Sequence, residues 1–273
     1  MFQYAAGRAL ALRHGVELGL DLRVYEGPSQ FDFALNHFAI KAKILDRTEL
    51  PPSRKSNKIR YLIWRSGLIR PYFTDQKCDG FNQSFCNTRD DSYLRGYWQS
   101  ERFFMEVADT IAEDFHITTA PTPENAQMAT RIQNADAVSL HIRRGDYISD
   151  PMANATHGTC SLEYYERALE HLTENGRKVT EAFIFSDDPT WAHENMRISL
   201  PRTIVDINDS ENQYEDLRLM SLCKHNIIAN SSFSWWGAWL NRTPHKTVIA
   251  PKEWFRDKSK ENPDLYPPGW FKI

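Results

Sequence analysis

The sequence lacks most signatures of the common nucleotide and metal enzymes. No G-x-x-x-x-G-K-[ST] loop occurs, which argues against a P-loop NTPase, and no G-x-G-x-x-G occurs, which argues against a dinucleotide site. There is no Asp-x-Asp triplet, so a metal-bridged nucleotide-sugar site is disfavoured, and no G-x-S-x-G elbow. No apolar stretch approaches the roughly 20 residues of a membrane-spanning helix, and no signal peptide is visible. Cysteine is scarce. Cys78, Cys86, Cys160 and Cys223 form no CxxC pair, so they read as buried thiols of a reduced compartment rather than a disulfide frame or zinc site. A cytoplasmic protein is expected, with peripheral association at the inner face of the membrane as its alternative setting. Sequons at Asn82, Asn154, Asn208, Asn230 and Asn241 are then chance occurrences. Net charge is −3 with no basic run, which argues weakly against a nucleic-acid partner.

The chain does have core-forming material: 41% hydrophobic and 12% aromatic residues exclude a disordered chain. Its 273 residues fit one large domain or two of ordinary size. The stretch that organises it is Ala137 to Tyr147, AVSLHIRRGDY. It opens as an apolar, buried-type strand and breaks into His141, Arg143, Arg144, Gly145 and Asp146. Two adjacent guanidiniums at the end of a buried strand need an anion to meet them. Arginine's planar fork suits phosphate, so a phosphate or pyrophosphate grip is one reading. A structural pair of ion bridges, with Asp146 as one partner, is an equal rival.

Taken in order, residues 1–15 read as a helix rich in Ala and Leu, with Gly15 as its stop. Val16 to Leu22 alternates like a strand, giving half of an α/β repeat without its first strand. Residues 31–38 suggest a short strand and turn, and 50–58 a solvated loop. IRYLIWRSGLIRPYF mixes apolar and basic residues; an amphipathic helix packed on the domain is favoured over an acceptor or membrane-surface contact. Leu94 to Ser100 reads as a strand whose Tyr97, Trp98 and Gln99 form either a sugar platform or core, and Ser100 caps an expected helix, ERFFMEVADTIAEDF. TTAPTP, residues 118–123, is the linker candidate. Beyond it strands (AVSLHI, EAFIFS, RTIVDI, NIIAN, TVIAP) alternate with helices, which demands a parallel sheet with right-handed crossovers.

Ligands of open parallel sheets bind beyond the C-terminal strand ends. Three ends carry unusual polar residues: His141 to Asp146, Ser186-Asp187-Asp188, and Asn230-Ser231-Ser232-Phe233-Ser234. The last opens a helix whose free N–H groups make an anion seat. Singly, the Ser186 and Asn230 clusters read as helix caps. Together, arginines on one loop and a helix N-terminus on another can clamp a diphosphate.

HIRRGDY, FSDD and NSSFSWWGAWL, with the opening MFQYAAGRALA and the phrase GYWQSERFF, resemble the α-1,2-fucosyltransferases, glycosyltransferase family 11. The resemblance implies an α/β fold of two Rossmann-like domains, GT-B-like, with residues 1–120 on the acceptor side and 121–273 binding the nucleotide sugar. The family's usual strand and Gly-rich turn are missing ahead of Met1, so the N-terminal domain is expected to lack its first strand. It implies GDP-β-L-fucose as donor, the 2-hydroxyl of a terminal galactose as acceptor, inversion at the anomeric carbon, and no metal or separate cofactor. Carried over by position, Arg143 holds the β-phosphate and Arg144 supports the loop or the fucose. Asp146 orients the guanidiniums, and Arg143 and Asp146 are the catalytic pair. Asp187 meets the guanine, and Ser231, Ser232 and Phe233 contact phosphates, with His141 and Ser186 in the same donor-binding set. Glu101 and Asp146 are candidate bases. Two alternatives stand beside this: a relative that binds GDP-sugar or glycan without transfer, and a transferase using another nucleotide sugar.

Overall fold

The computed structural model describes residues 1–26, 33–54, 57–76 and 80–273. Cys78, Phe31 and Asp32, and part of the 50–58 loop, lie outside the described residues. The chain forms two units: Met1–Thr118 with Asn262–Pro267, and Thr119–Glu261 with Pro268–Ile273.

The first unit is built on α1 (Phe2–His14), whose Ala and Leu content favours helix and whose Gly15 closes it at φ 67°. Phe2, Tyr4, Ala5, Ala6 and Leu10 are buried. Tyr4 donates its hydroxyl to Asp114 at 2.6 Å, and Arg8 pairs with the same carboxylate at 2.9 Å. The strand expected over 16–22 shortens to β1 (Gly19–Leu20), paired in parallel with β2 (Lys43–Ile44). Helix α2 (Lys58–Arg65) follows, capped by Asn57, and then β3 (Tyr72–Asp75) pairs in parallel with β4 (Ser92–Arg95). Only the Trp64 side of α2 packs on the unit; Ile59, Leu62 and Ile63 are exposed.

The helix expected from Ser100 does not start there. Ser100 Oγ accepts from Arg102 N–H at 3.2 Å, but two 3₁₀ turns intervene before α3 (Ala108–Asp114). The physical reason is aromatic packing: Phe103 is drawn against Phe81, Phe85 and Trp98 at centroid distances of 4.9–5.2 Å. Trp98 is therefore core, 4% exposed, whereas Tyr97 of the suggested sugar platform is exposed and Gln99 half-buried. Among the described residues this unit holds two separate two-stranded parallel sheets, where a Rossmann-like domain would carry one doubly wound sheet.

The second unit does carry one. Helix α4 (Pro123–Gln133), capped by Thr122, leads to β5 (Ala137–Ile142) and the short helices α5 (Gly145–Ser149) and α6 (Pro151–His157). Then come α7 (Leu162–Glu174), β6 (Glu181–Ser186), α8 (Pro189–Asn195), β7 (Arg202–Val205), α9 (Gln213–Leu222), β8 (His225–Ile227), α10 (Ser232–Leu240), β9 (Val248–Ala250) and β10 (Phe271–Lys272). The six strands are all parallel, in spatial order β10-β9-β8-β5-β6-β7. Numbered from β5 as the first strand, that is 3-2-1-4-5-6, the Rossmann order.

Alternation sorts the strand residues onto two faces. Val138, Leu140, Ile142 and Ile184 pack under α7 and α8, while Ala137, Phe183 and Phe185 pack under α4 and α9. Both faces are covered, which is why the strands read as unbroken apolar runs. Gly237 lets α10 sit against α9: a Cβ there would lie 2.9 Å from Met220 Sδ. A buried polar chain ties the layers together, Asn241 donating to Asn226 and Asn226 to Ser139, both at 2.7 Å.

Candidate functional site

The site follows from the strand order. The chain runs outward from β5 through β6 to β7, then crosses back to lay β8 on the other side of β5. The C-terminal ends of β5 and β8 therefore flank a topological switch point, where sheets of this order bind ligands. Ile142 is in register with Ser186, so the Arg143 loop and the Ser186 cluster leave the sheet side by side.

The arginine loop is held by carboxylates. Arg143 Nη2 donates to Asp146 Oδ1 at 2.7 Å, and its Nη1 lies 3.0 Å from Asp187 Oδ2. The Arg144 N–H donates to Asp187 Oδ1 at 2.8 Å, and its Nε reaches Asp188 Oδ2 at 3.3 Å. The Arg144 guanidinium stacks over Trp191 at 3.9 Å, and that of Arg143 lies 5.5 Å from the Tyr147 ring centre. Two guanidiniums thus face three carboxylates. Both Asp187 oxygens are engaged inside the loop, and Gly145 is what permits this: a Cβ there would lie 2.6 Å from Asp187 Oδ2. Arg143 has five N–H donors and engages two of them with carboxylates, so donors remain for an anion.

The third cluster opens α10. Ser231 Oγ accepts from Phe233 N–H at 3.3 Å, capping the helix, and Ser232 is exposed in its first turn. Two contacts join the start of α10 to the residues that flank the arginine loop. Tyr147 donates its hydroxyl to the Asn230 carbonyl at 3.1 Å, and the His141 ring meets Phe233 at 5.6 Å. No hydrogen bond links Ser231 or Ser232 to either arginine among the described residues. His141 is 5% exposed and its Nδ1 has no partner. Burial first, and the Arg143 charge second, pull its pKa down to about 3, so the imidazole is neutral. Ser186 Oγ accepts from Asp188 N–H at 3.0 Å, and Asp188 caps α8 through Trp191 N–H, with Pro189 at the first helical position. Asp188 and Ser231 are thus helix caps.

Three residues that the sequence did not single out pack against these clusters. Tyr147 stacks on His157 at 4.7 Å and 2° while bridging to Asn230; its place at the end of the AVSLHIRRGDY stretch was the available signal. Trp191 closes the Asp-Asp-Pro-Thr-Trp run beneath Arg144. His157 carried no signal; its Nδ1 is buried without a partner, and burial lowers its pKa. Burial raises the Cys160 thiol to about 11, which keeps it protonated near neutral pH. Separately, the first unit contains a cavity of about 430 Å³ lined by Tyr72, Phe73, Gln76, Asn82 and Trp98 among others.

The model of "Glycosyl transferase family 11" matches residues 54–273, a span that includes all three strand-end clusters. The chain belongs to glycosyl transferase family 11. This family 11 protein is 32% identical to an alpha-1,2-colitosyltransferase of Escherichia coli over 294 aligned positions, covering 100% of this chain and 94% of that one. It is 47% identical over 131 residues to the O-antigen biosynthesis glycosyltransferase WbnK of Escherichia coli, covering 47% of this chain and 42% of the relative. With the galactoside alpha-(1,2)-fucosyltransferase 2 of Bos taurus it shares 27% identity over 155 residues, 54% of this chain and 44% of the relative. Against these last two, the match spans less than half of the relative's length. No described helix of the family 11 protein is long and apolar enough to cross a membrane.

Proposed function

We propose that the chain transfers L-fucose from GDP-β-L-fucose to the 2-hydroxyl of a terminal galactose, with inversion at the anomeric carbon. The observation that carries this reading is that His141 and Tyr147, which flank the arginine loop, contact Phe233 and Asn230 at the start of α10, at the switch point of a 3-2-1-4-5-6 sheet. The diphosphate of the donor would take up the unengaged Arg143 donors and the N–H groups at the start of α10 other than that of Phe233, which Ser231 caps. As the fucosyl–oxygen bond loosens, charge grows on the departing GDP, and donors already fixed in place stabilise it without reorganising.

Asp146 and Asp187 fix the Arg143 fork from two sides, and Asp188 and Trp191 fix Arg144. The engagement of both Asp187 oxygens favours this orienting role over contact with the guanine. The acceptor hydroxyl attacks from the face opposite the leaving group, its oxygen bonding to the anomeric carbon as the bond to GDP breaks and its proton passing to solvent. The first unit's cavity, with its aromatic and amide side chains, supports an acceptor role for that unit.

A second reading is transfer of colitose, which differs from fucose by the absence of one hydroxyl at C3. The likeness across the whole chain to a colitosyltransferase favours it. The test is product analysis with GDP-fucose, GDP-colitose and a UDP-sugar, each with lactose as acceptor. A 2-linked fucosyl product supports the first reading, and turnover of GDP-colitose alone supports the second. Turnover of the UDP-sugar alone defeats both. GDP-fucose binding with neither transfer nor hydrolysis makes the protein a binding module.

A further inference from the structure

Between Leu50 and Asp75 the chain carries six charged residues, Arg54, Lys55, Lys58, Arg60, Arg65 and Arg70, and every one is basic, although net charge is −3. Helix α2 lies within this segment. Trp64 anchors it: 4% exposed, its Nε1 donates to the Pro71 carbonyl at 2.7 Å, and its ring packs on Phe73 and Tyr93. On the face opposite Trp64 stand Ile59, Leu62 and Ile63, at the i, i+3, i+4 spacing of one helical stripe. They are 71%, 57% and 50% exposed, and Leu68 in the following turn is 82% exposed. Amphipathic helices normally bury their apolar stripe; this one turns its stripe to solvent. Exposed large apolar residues gathered on one helical stripe mark an interaction surface.

The charge around the patch selects its occupant. Arg54, Lys58 and Arg60 are exposed, and Arg70 is exposed beside Asp91 at 3.8 Å. Arg65 instead pairs with Asp75 and stacks on Phe73. Two copies of the chain meeting through this face would bring like charges together. An anionic lipid surface complements both halves of the pattern: its headgroups meet the basic residues and its acyl boundary takes the apolar stripe. We infer that α2 and the turn after it are a peripheral docking surface for an anionic bilayer, with Ile59, Leu62, Ile63 and Leu68 entering the interface. The surface is independent of sugar transfer, and its test needs no substrate.

The experiment is co-sedimentation of the full chain with vesicles of phosphatidylglycerol mixed with phosphatidylcholine, against vesicles of phosphatidylcholine alone. Binding to the anionic vesicles only, weakening as salt rises, is expected. Leu62→Asp/Ile63→Asp should abolish it. Lys58→Gln/Arg60→Gln, which leaves the apolar face intact, should weaken it about 25-fold, at about fivefold per basic residue removed. Circular dichroism checks that both variants fold. Equal binding to the two vesicle types would overturn the inference, as would wild-type binding by either double variant. So would absence of vesicle binding, whether or not the chain self-associates through the same residues in sedimentation velocity.

Discussion

A methyl group on Gly145 would lie 2.6 Å from Asp187 Oδ2 and 3.3 Å from its Cγ, where ordinary contact begins at 3.4 Å. Gly145 has no left-handed φ, so the conflict in Gly145→Ala is purely steric. The carboxylate must retreat by about 0.8 Å. It cannot do so without stretching its 3.0 Å contact to Arg143, its 2.8 Å bond from the Arg144 N–H, or both. A charge-assisted bond contributes about 1.5–3 kcal/mol. Losing one should therefore lower kcat/KM for the nucleotide-sugar donor about 10- to 150-fold. Initial rates at subsaturating donor measure it, with circular dichroism to verify folding. The mechanism has a sharper consequence. If the methyl acts only by displacing Asp187, then Gly145→Ala added to Asp187→Ala should change kcat/KM by less than about twofold. A Gly145→Ala enzyme with wild-type kcat/KM would refute the reasoning, and so would an equal loss with and without Asp187.

Three further outcomes are expected. Arg143→Ala should lower turnover about 10²–10³-fold with the fold intact, and Arg143→Lys should not rescue it, because a point charge cannot serve two carboxylates and a phosphate as a fork does; substantial activity in either variant contradicts the role. His141 is held neutral in the fold with its pKa pulled down to about 3, whereas unfolded it takes a proton below about 6.5, so stability should be lost as pH falls from about 6.5 toward 3. The His141 contribution has a limiting slope of about 1.4 kcal/mol per pH unit, and His141→Gln should show a shallower decline in denaturant titrations over that window; identical slopes would tell against it. Gly237→Ala should destabilise the chain by about 1–3 kcal/mol, because its Cβ would meet Met220 Sδ at 2.9 Å and Met220 Cβ at 3.0 Å; an unchanged melting temperature would mean that α9 and α10 yield freely.

The second unit was legible because local and global signals agree there. Ser161 before α7 and Pro189 after Asp188 mark helix starts, and apolar runs such as EAFIFS mark strands buried on both faces. Strand β10 was not legible, since two residues, Phe271 and Lys272, pair with β9 only through long-range geometry. Helix α6 did carry a signal, Asp150 capping and Pro151 at the first position, that reading the region as an arginine loop obscured. In the first unit, aromatic contacts overrode propensity: Phe103 breaks the helix expected from Ser100, and Trp64 turns α2 so that its apolar stripe faces outward. In the site, the side chains at the strand ends could be read from their types. The bond from Tyr147 to the Asn230 carbonyl could not, because a backbone acceptor leaves no mark on the sequence.

The proposed function requires a nucleoside diphosphate to lodge between the Arg143 loop and the open end of α10. Its most direct test is the position of GDP in a crystal of the complex. The diphosphate oxygens should lie within hydrogen-bonding distance of both the Arg143 guanidinium and the backbone N–H groups of the first turn of α10. A diphosphate bound elsewhere, with Arg143 still paired only to Asp146 and Asp187, would contradict it.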